Sequence, residues 1–315
     1  MTAPTPPHPV RTLVIGEALV DAVTDASGGL TEHVGGSPAN VAFGLATLDH
    51  PVDLATWIAD DERGRRIEAV CRERGVALTP GSHGASATSV AHATLDATGG
   101  ATYVFDLDWQ LAPLADLTAY GHVHTGSIAA VLEPGGAHVR DALRRARESG
   151  ATVSYDPNAR PTLMGAPADA RRVIEEAIAA ADLVKLSDED VEWLCPGETL
   201  EQVIGAWGAL GPAVVVVTRG GEGALLRVTA TGELQALPAP RVDVVDTVGA
   251  GDSFMAGLVS GLLDAGLLGG EEGRRALRAA NLADVAPAVH RALRTGALTV
   301  ARAGAHAPGR ADLPE

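Results

Sequence analysis

Short apolar runs that end in polar residues alternate along this chain with stretches of helical spacing. "RTLVIGEALVD" (11–21) reads as a first buried strand that runs out into Gly and acids. "SPANVAFGLATLD" (37–49) places Val41, Leu45 and Leu48 at helical intervals, with Ser37 as N-cap and Pro38 at N1. "VDLATWIADDERGRRIEAVCRERG" gives a strand and then a helix, and "HVHTGSI", "TVSYDPN" and "DLVKLSDED" read as further strands with polar tails. The clearest buried strand is in "AVVVVTRGGEGALL", with its four consecutive valines. Helical segments such as "GAHVRDALRRARESG" and "DARRVIEEAIAAA" lie between. Strand alternating with helix predicts a mostly parallel central sheet covered on both faces, a three-layer α/β/α sandwich. In such sheets ligands collect at the carboxyl ends of the strands, where these polar tails fall.

One stretch breaks the rhythm. "TSVAHATLDATGGATYVFDLD" (88–108) alternates on both sides of Gly99-Gly100, with Tyr103, Phe105 and Leu107 on one face, and no helix follows its first strand. Together with "GGLTEHV" (28–34) it predicts a small separate β-sheet that would act as a lid; an edge extension of the main sheet is the alternative. The expected organisation is a single α/β domain over 10–305, with lid strands inserted at about 17–34 and 86–108. Loose termini are expected at 1–9 and 306–315.

Charge narrows the partners. Forty acidic against 24 basic residues give a formal net charge of −16, which argues against nucleic acid or an anionic membrane as the main partner. A phosphate-bearing ligand would need local help from backbone amides, a few arginines and a cation. Cys71 and Cys195 belong to no Cys or Cys/His cluster, so a reduced compartment without structural zinc is expected. The start, "MTAPTPPHPV", lacks the regions of a secretory signal, and no apolar run approaches the roughly 20 residues of a membrane span. A cytoplasmic location is the expectation.

Candidate chemistry centres on "DTVGAGDSF" (246–254), which runs into the apolar, helix-like "MAGLVSGLLDAGLL". Glycines let backbone N–H groups approach a bound group, and a helix N-terminus offers unpaired donors and positive dipole character, so the stretch suits an anion. Alone, it also fits a tight turn with Asp252 as N-cap. Four features favour the first reading: "GGSPAN" (35–40) at another helix start, Asp21 after the first strand, the acidic strand end "KLSDED" (185–190), and the Gly-rich turn "TRGGEG" (218–223). His122 and His124 alternate on one strand without an evident third ligand and read as satisfied sheet histidines.

These residues resemble the ribokinase-like (PfkB-type) carbohydrate kinases over nearly the whole chain. "GGSPANVAFGLATL" is similar to the family's N-terminal signature and "DTVGAGDSFMAGL" to its C-terminal one, while "GEALVD", "DPNARPTL", "KLSDEDVEWL" and "ARAGAHAP" resemble the fructokinase-like branch. The resemblance implies a ribokinase-like fold and phosphorylation of a sugar by ATP with Mg²⁺. Asp252 would be the general base, and the N–H groups of Gly249, Ala250 and Gly251 the anion hole. Asp21, Gly36 and Asn40 would hold the sugar, with Tyr103 and Asp108 reaching it from the hairpin and Arg160 balancing phosphate charge. Ser187, Thr218, Gly220 and Gly223 would contact ATP, and Asp190 with Glu189 would hold Mg²⁺ through water. Ser187 and Asp190 stand where many members carry Asn and Glu, which shortens their reach. Asp246, the carbonyl of Val248 and the Gly304 loop would hold a monovalent cation such as K⁺, and the lid would serve a homodimer. The hairpin's "YVFDLDWQL" carries acids and no base, which favours a neutral acceptor such as fructose. A kinase for 2-keto-3-deoxygluconate, ribose or a nucleoside is the nearest rival, and a non-catalytic sugar-binding relative the rival of another class.

Overall fold

A computed structural model describes residues 9–25, 27–95 and 101–313; the side chains of 95 and 101–103 lie outside the described set. Thirteen strands form in it: β1 (Thr12–Ile15), β2 (Leu19–Thr24), β3 (Leu30–Gly35), β4 (Val52–Ala55), β5 (Ala77–Leu78), β6 (Val90–Leu95), β7 (Ala101–Asp106), β8 (His122–Gly126), β9 (Thr152–Asp156), β10 (Leu183–Ser187), β11 (Val214–Thr218), β12 (Ala224–Val228) and β13 (Leu234–Leu237). The helices are α1 (Ser37–Thr47), α2 (Glu62–Glu73), α3 (Gly135–Glu148), α4 (Pro161–Met164), α5 (Pro167–Ala180), α6 (Asp188–Leu194), α7 (Leu200–Gly208), α8 (Ala250–Asp264), α9 (Gly270–Ala279) and α10 (Leu282–Val300).

Nine strands make one sheet in the order β13-β12-β11-β10-β9-β8-β1-β4-β5, parallel from β11 to β5, with β12 antiparallel to its neighbours. The valines of β11 show how it is covered. Val214 and Val216 join the core that includes α1, α8 and α10, while Val215 and Val217 face the core of α3, α5 and α7. A strand buried on both faces reads as a continuous apolar run for this reason. The chain leaves β1 for β4 on one side and returns to β8 on the other, so a crevice opens at the carboxyl ends of β1 and β8.

The run 11–21, read as one strand, serves two sheets. β1 ends at Ile15, and β2 begins at Leu19 in a separate four-stranded sheet of order β3-β2-β6-β7. Gly16 lies at the break, where a Cβ would come within 2.2 Å of Pro38 Cγ. The hairpin β6–β7 thus pairs with β2 and is not an edge of the main sheet. Its turn at Gly99-Gly100 lies outside the described residues.

α8 is buried from Asp252 through Leu263, wedged between α1 and α10. Small residues allow that approach. A Cβ on Gly44 would sit 2.6 Å from Ala256 Cβ, one on Gly257 2.3 Å from Thr295 Oγ1, and one on Gly261 2.7 Å from Ala288 Cα.

The C-terminal stretch, expected to be loose from 306, is instead fastened as far as it is described. Thr47 Oγ1 donates to the carbonyl of Pro308 at 3.1 Å, and Arg310 donates to Leu48 O at 3.0 Å and pairs with Asp264 at 2.7 Å. A polar, Pro-containing sequence looks solvated until its distant partners are known. Of the N-terminal stretch 1–9, residues 1–8 lie outside the described set. Among the described residues no helix is long and apolar enough to cross a membrane.

Candidate active site

The crevice is built around Asp252, the third residue of α8, 7% exposed. A carboxylate in the first turn is favoured by the helix dipole, but burying it requires hydrogen-bond donors. Two come from α1: Ser37 Oγ donates to Asp252 Oδ1 at 2.7 Å, and Asn40 Nδ2 donates to Oδ2 at 2.9 Å. From the loop after β9, Asn158 Nδ2 donates to Ser37 Oγ at 2.8 Å and lies 3.4 Å from Asp252 Oδ1. Residues from two distant parts of the chain thus fix one carboxylate on a third. Ser37 was expected to be an N-cap. Gly36 takes that position with φ 102, its own Cβ position being only 2.5 Å from Glu17 O, and the Ser37 hydroxyl is left for Asp252. Gly36 is therefore required by the backbone crossing at Glu17, a reason other than room for a ligand.

The mouth of α8 has unpaired donors. Gly249, in the left-handed region with φ 75, is the N-cap and supplies no side chain to cap the helix. Among the described residues the N–H groups of Gly249 and Gly251 find no acceptor, whereas Ala250 N donates to Thr247 O at 3.2 Å. Two of the three amides expected in the anion hole are free, and the third closes the turn that presents them.

Acids gather opposite. Asp21 is half-buried on β2, and burial, aided by the nearby charge of Asp252, pushes its carboxyl up to about 6. Glu17, which sequence reading left without a role, is buried, its Oε2 has no partner among the described residues, and burial pushes it up to about 7. Arg160 counters both electrostatically. It is oriented by its own loop, Nη1 donating to Asn158 Oδ1 at 2.7 Å and to Asn158 O and Ala159 O at 3.0 Å.

Several expected ligands have structural work. Asp190 Oδ2 accepts from Ser187 N at 2.8 Å and Oδ1 from Ala159 N at 2.7 Å, while Ser187 Oγ accepts from Asp190 N at 3.0 Å. The reciprocal capping box with Ser187 starts α6 and engages Oδ2 of Asp190, while Ala159 N engages Oδ1, so both oxygens of the residue expected to face a hydrated Mg²⁺ already accept backbone N–H groups. Glu189 is exposed on the first turn of α6. Gly223, with φ 99, closes the β11–β12 hairpin, its Cβ position lying 2.0 Å from Leu237 O; Gly220 faces open space. Thr218 Oγ1 donates to Leu186 O at 3.3 Å. Asp108 is tied below the hairpin by Ser86 N at 3.0 Å and Ser86 Oγ at 3.1 Å. The side chain of Tyr103 lies outside the described set. Asp246, Val248 and Gly304 do come together, through Asp246 Oδ1 to Val248 N at 3.0 Å and Oδ2 to Gly304 N at 2.8 Å.

Two features went unread in the sequence. Val242, Val244, Val245 and Val248 form an exposed apolar strip leading to Gly249. Under α8, Lys185 makes a buried ion pair with Asp156 at 2.9 Å. A lysine in the middle of the apolar "LVKLS" was the available signal. His122 and His124 meet Thr152 and Ser154 at 2.9 Å, and burial pushes both down to about 3, leaving neutral rings inside the sheet.

A crevice at the strand-order reversal, with a buried carboxylate beside free helix-end amides, is an arrangement suited to an anion held next to a proton donor. Comparison with known proteins gives the class its name. Residues 11–310 match the model of the pfkB family carbohydrate kinases. A fructokinase of Klebsiella pneumoniae is 33% identical over 300 residues, covering 93% of this chain and 94% of its own. An aminoimidazole riboside kinase of Salmonella typhimurium is 32% identical over 253 residues, 78% of this chain and 79% of its own. Among solved structures, a Vibrio cholerae fructokinase double mutant with fructose, ADP and potassium bound superposes with a TM-score of 0.78 at 26% identity, covering 96% of each chain. The Salmonella enterica aminoimidazole riboside kinase, complexed with aminoimidazole riboside and an ATP analogue, gives 0.75 at 27%, covering 94% of this chain and 95% of its own. The chain belongs to the pfkB family of carbohydrate kinases. It is a phosphotransferase with an alcohol group as acceptor.

Proposed function

We propose that this enzyme transfers the γ-phosphate of ATP to a hydroxyl of fructose or a closely related ketose or pentose. The observation that carries the reading is Asp252, held by Ser37 and Asn40 beside the free amides of Gly249 and Gly251. A carboxylate is too weak a base to ionise an alcohol beforehand, so Asp252 takes the proton late, as the bond to phosphorus forms in a loose transition state. The helix-end amides meet the phosphoryl oxygens, which leaves Asp252 to face the hydroxyl. Asn40, engaged with Asp252 here, would share its amide between base and sugar, and Asp21 would accept a second sugar hydroxyl. The exposed valines 242–248 suit the face of a purine, and Arg160 would offset phosphate charge. Mg²⁺ would arrive with the nucleotide and neutralise phosphate oxygens. A monovalent cation would be held by Asp246, the Val248 carbonyl and the Gly304 loop, which already lie together.

The acceptor is read as fructose-like because relatives named fructokinase match nearly full length, and because the segment 103–111 carries acids and no Lys or Arg for a charged acceptor. The riboside kinase relative keeps a nucleoside as the second reading. An ADP-release assay with MgATP and K⁺ against fructose, ribose, 2-keto-3-deoxygluconate, aminoimidazole riboside, adenosine and fructose 6-phosphate decides. Fructose well above the others is the expected result, and a dominant riboside or sugar acid would replace it.

Asp21 adds a pH signature. Its carboxyl is protonated below about 6 and then loses one acceptor for sugar hydroxyls. The sugar KM should therefore be flat from pH 8 to 7 and rise as pH falls through about 6. In Asp21→Asn it should be high throughout, without that step. A wild-type KM that stays flat down to pH 5 would remove Asp21 from sugar binding.

A further inference from the structure

Beneath the mouth of α8 lies an ion pair that the assignments above leave unused. Lys185 Nζ on β10 donates to Asp156 Oδ2 on the neighbouring β9 at 2.9 Å, with the two side chains 4% and 1% exposed. Stripping water from two charges is costly, and an apolar pair of similar volume is often as stable or more so. Stability alone is therefore a weak reason for the pair.

Three observations point upward to the reacting groups. A Cβ built on Gly251 would lie 3.1 Å from Lys185 Nζ, so the ammonium stands against the backbone of the residue preceding Asp252. An ammonium has three N–H donors, yet among the described residues Lys185 bonds only to Asp156. Among the described residues Asp156 Oδ1 is buried without a hydrogen-bond partner. The surroundings are acidic. Burial works to lower the basicity of Lys185, but Asp156, Asp190 and Asp252 outweigh it and keep the ammonium charged.

We propose that Lys185 is a positioning residue: a fixed positive charge, held by Asp156, that acts through the Gly251 backbone to stabilise negative charge gathering at the mouth of α8 during phosphoryl transfer. The inference rests on the kinase reading and deepens it. As the sugar oxygen bonds to the γ-phosphorus, the bond from that phosphorus to the β–γ bridging oxygen breaks, ADP leaves, and the hydroxyl proton passes to Asp252. Lys185 keeps its protons throughout and supplies field alone. A low-dielectric, water-excluded position makes such a charge effective.

The test separates field from packing. Lys185→Met alone strands a buried carboxylate and should lose both stability and turnover. Combined with Asp156→Asn, it removes both charges at nearly constant volume. The double variant should regain most of the melting temperature, yet keep a kcat roughly 10- to 100-fold below wild type, less than the roughly 10²–10³ of a lost direct donor. Its sugar KM should stay within about 2-fold of wild type. Recovery of kcat along with stability would make the pair structural and overturn the proposal. If that double variant does not fold, Lys185→Gln combined with Asp156→Asn removes both charges while keeping a hydrogen bond between the two side chains, and carries the same expectation. A second readout needs no turnover. Aluminium tetrafluoride, a planar phosphoryl mimic, should tighten MgADP binding to the wild type. In the charge-free variant that gain should fall at least about tenfold, with MgADP affinity itself unchanged; an undiminished gain overturns the proposal. A wild type inactive on every sugar of the panel that still shows this contrast would overturn the proposed acceptor and leave the role of Lys185 standing.

Discussion

Asp252→Asn should cut kcat by roughly 10²–10⁴ while nucleotide affinity stays close to that of the wild type. The substitution is nearly isosteric and keeps an oxygen for the Ser37 hydroxyl, which donates to Oδ1 at 2.7 Å. What it removes is the acceptor for the proton. It also turns an NH₂ toward Asn40 Nδ2, now 2.9 Å from Oδ2, so one of the two amides must reorient. The comparison therefore needs kcat, sugar KM and MgADP affinity together with a melting curve. Turnover within a few-fold of wild type would remove Asp252 as the base. A large fall in melting temperature with proportionate loss of nucleotide binding would make its role structural.

Gly249→Ala should be the next most damaging change, although it adds only one methyl group. The residue has φ 75, a conformation that costs an L side chain roughly 1–2 kcal/mol. The new Cβ would also lie 2.6 Å from Ala305 Cβ and 2.9 Å from Ala305 Cα. Those atoms belong to the loop whose Gly304 N–H is bonded to Asp246, so the turn over 246–251 cannot yield without disturbing that anchor. A displacement of about 1 Å in the helix-end amides is worth on the order of 10² in rate. The expected result is a kcat lower by about that factor, with sugar KM nearly unchanged and the melting temperature lowered by several degrees. A variant with normal kcat would show that the Gly249 amide takes no part.

Much of this architecture can be read from the chain because the relevant signals are local. Four consecutive valines state that β11 is covered on both faces, and Gly-rich segments followed by apolar helices state where donors are left free. Asp246, Val248 and Gly304, which the resemblance groups around a cation, lie together through hydrogen bonds from the Val248 and Gly304 amides to Asp246. What escapes the sequence is whatever depends on distant partners. Ser37 and Asp252 are 215 positions apart, and nothing near Ser37 distinguishes a cap from a donor to a remote carboxylate. Asp190 sits in an acidic strand end that suggests a cation, yet its oxygens are taken by two backbone amides, one of them 31 residues away. Lys185 interrupts an apolar strand, and only the fold shows that the space beside it belongs to Gly251.

The small-residue seam along α8 has a genetic consequence. Asp252 is placed by the depth to which its helix sinks between α1 and α10, and that depth is set at Gly44, Gly257 and Gly261. Bulkier alleles at these three sites would shift the whole helix, Asp252 included, without touching a ligand. A random screen for inactive variants should therefore return them together with Asp252, and a reader of that screen would mistake them for binding residues. The tolerance of this enzyme to drift is bounded by a helix contact as firmly as by its chemistry.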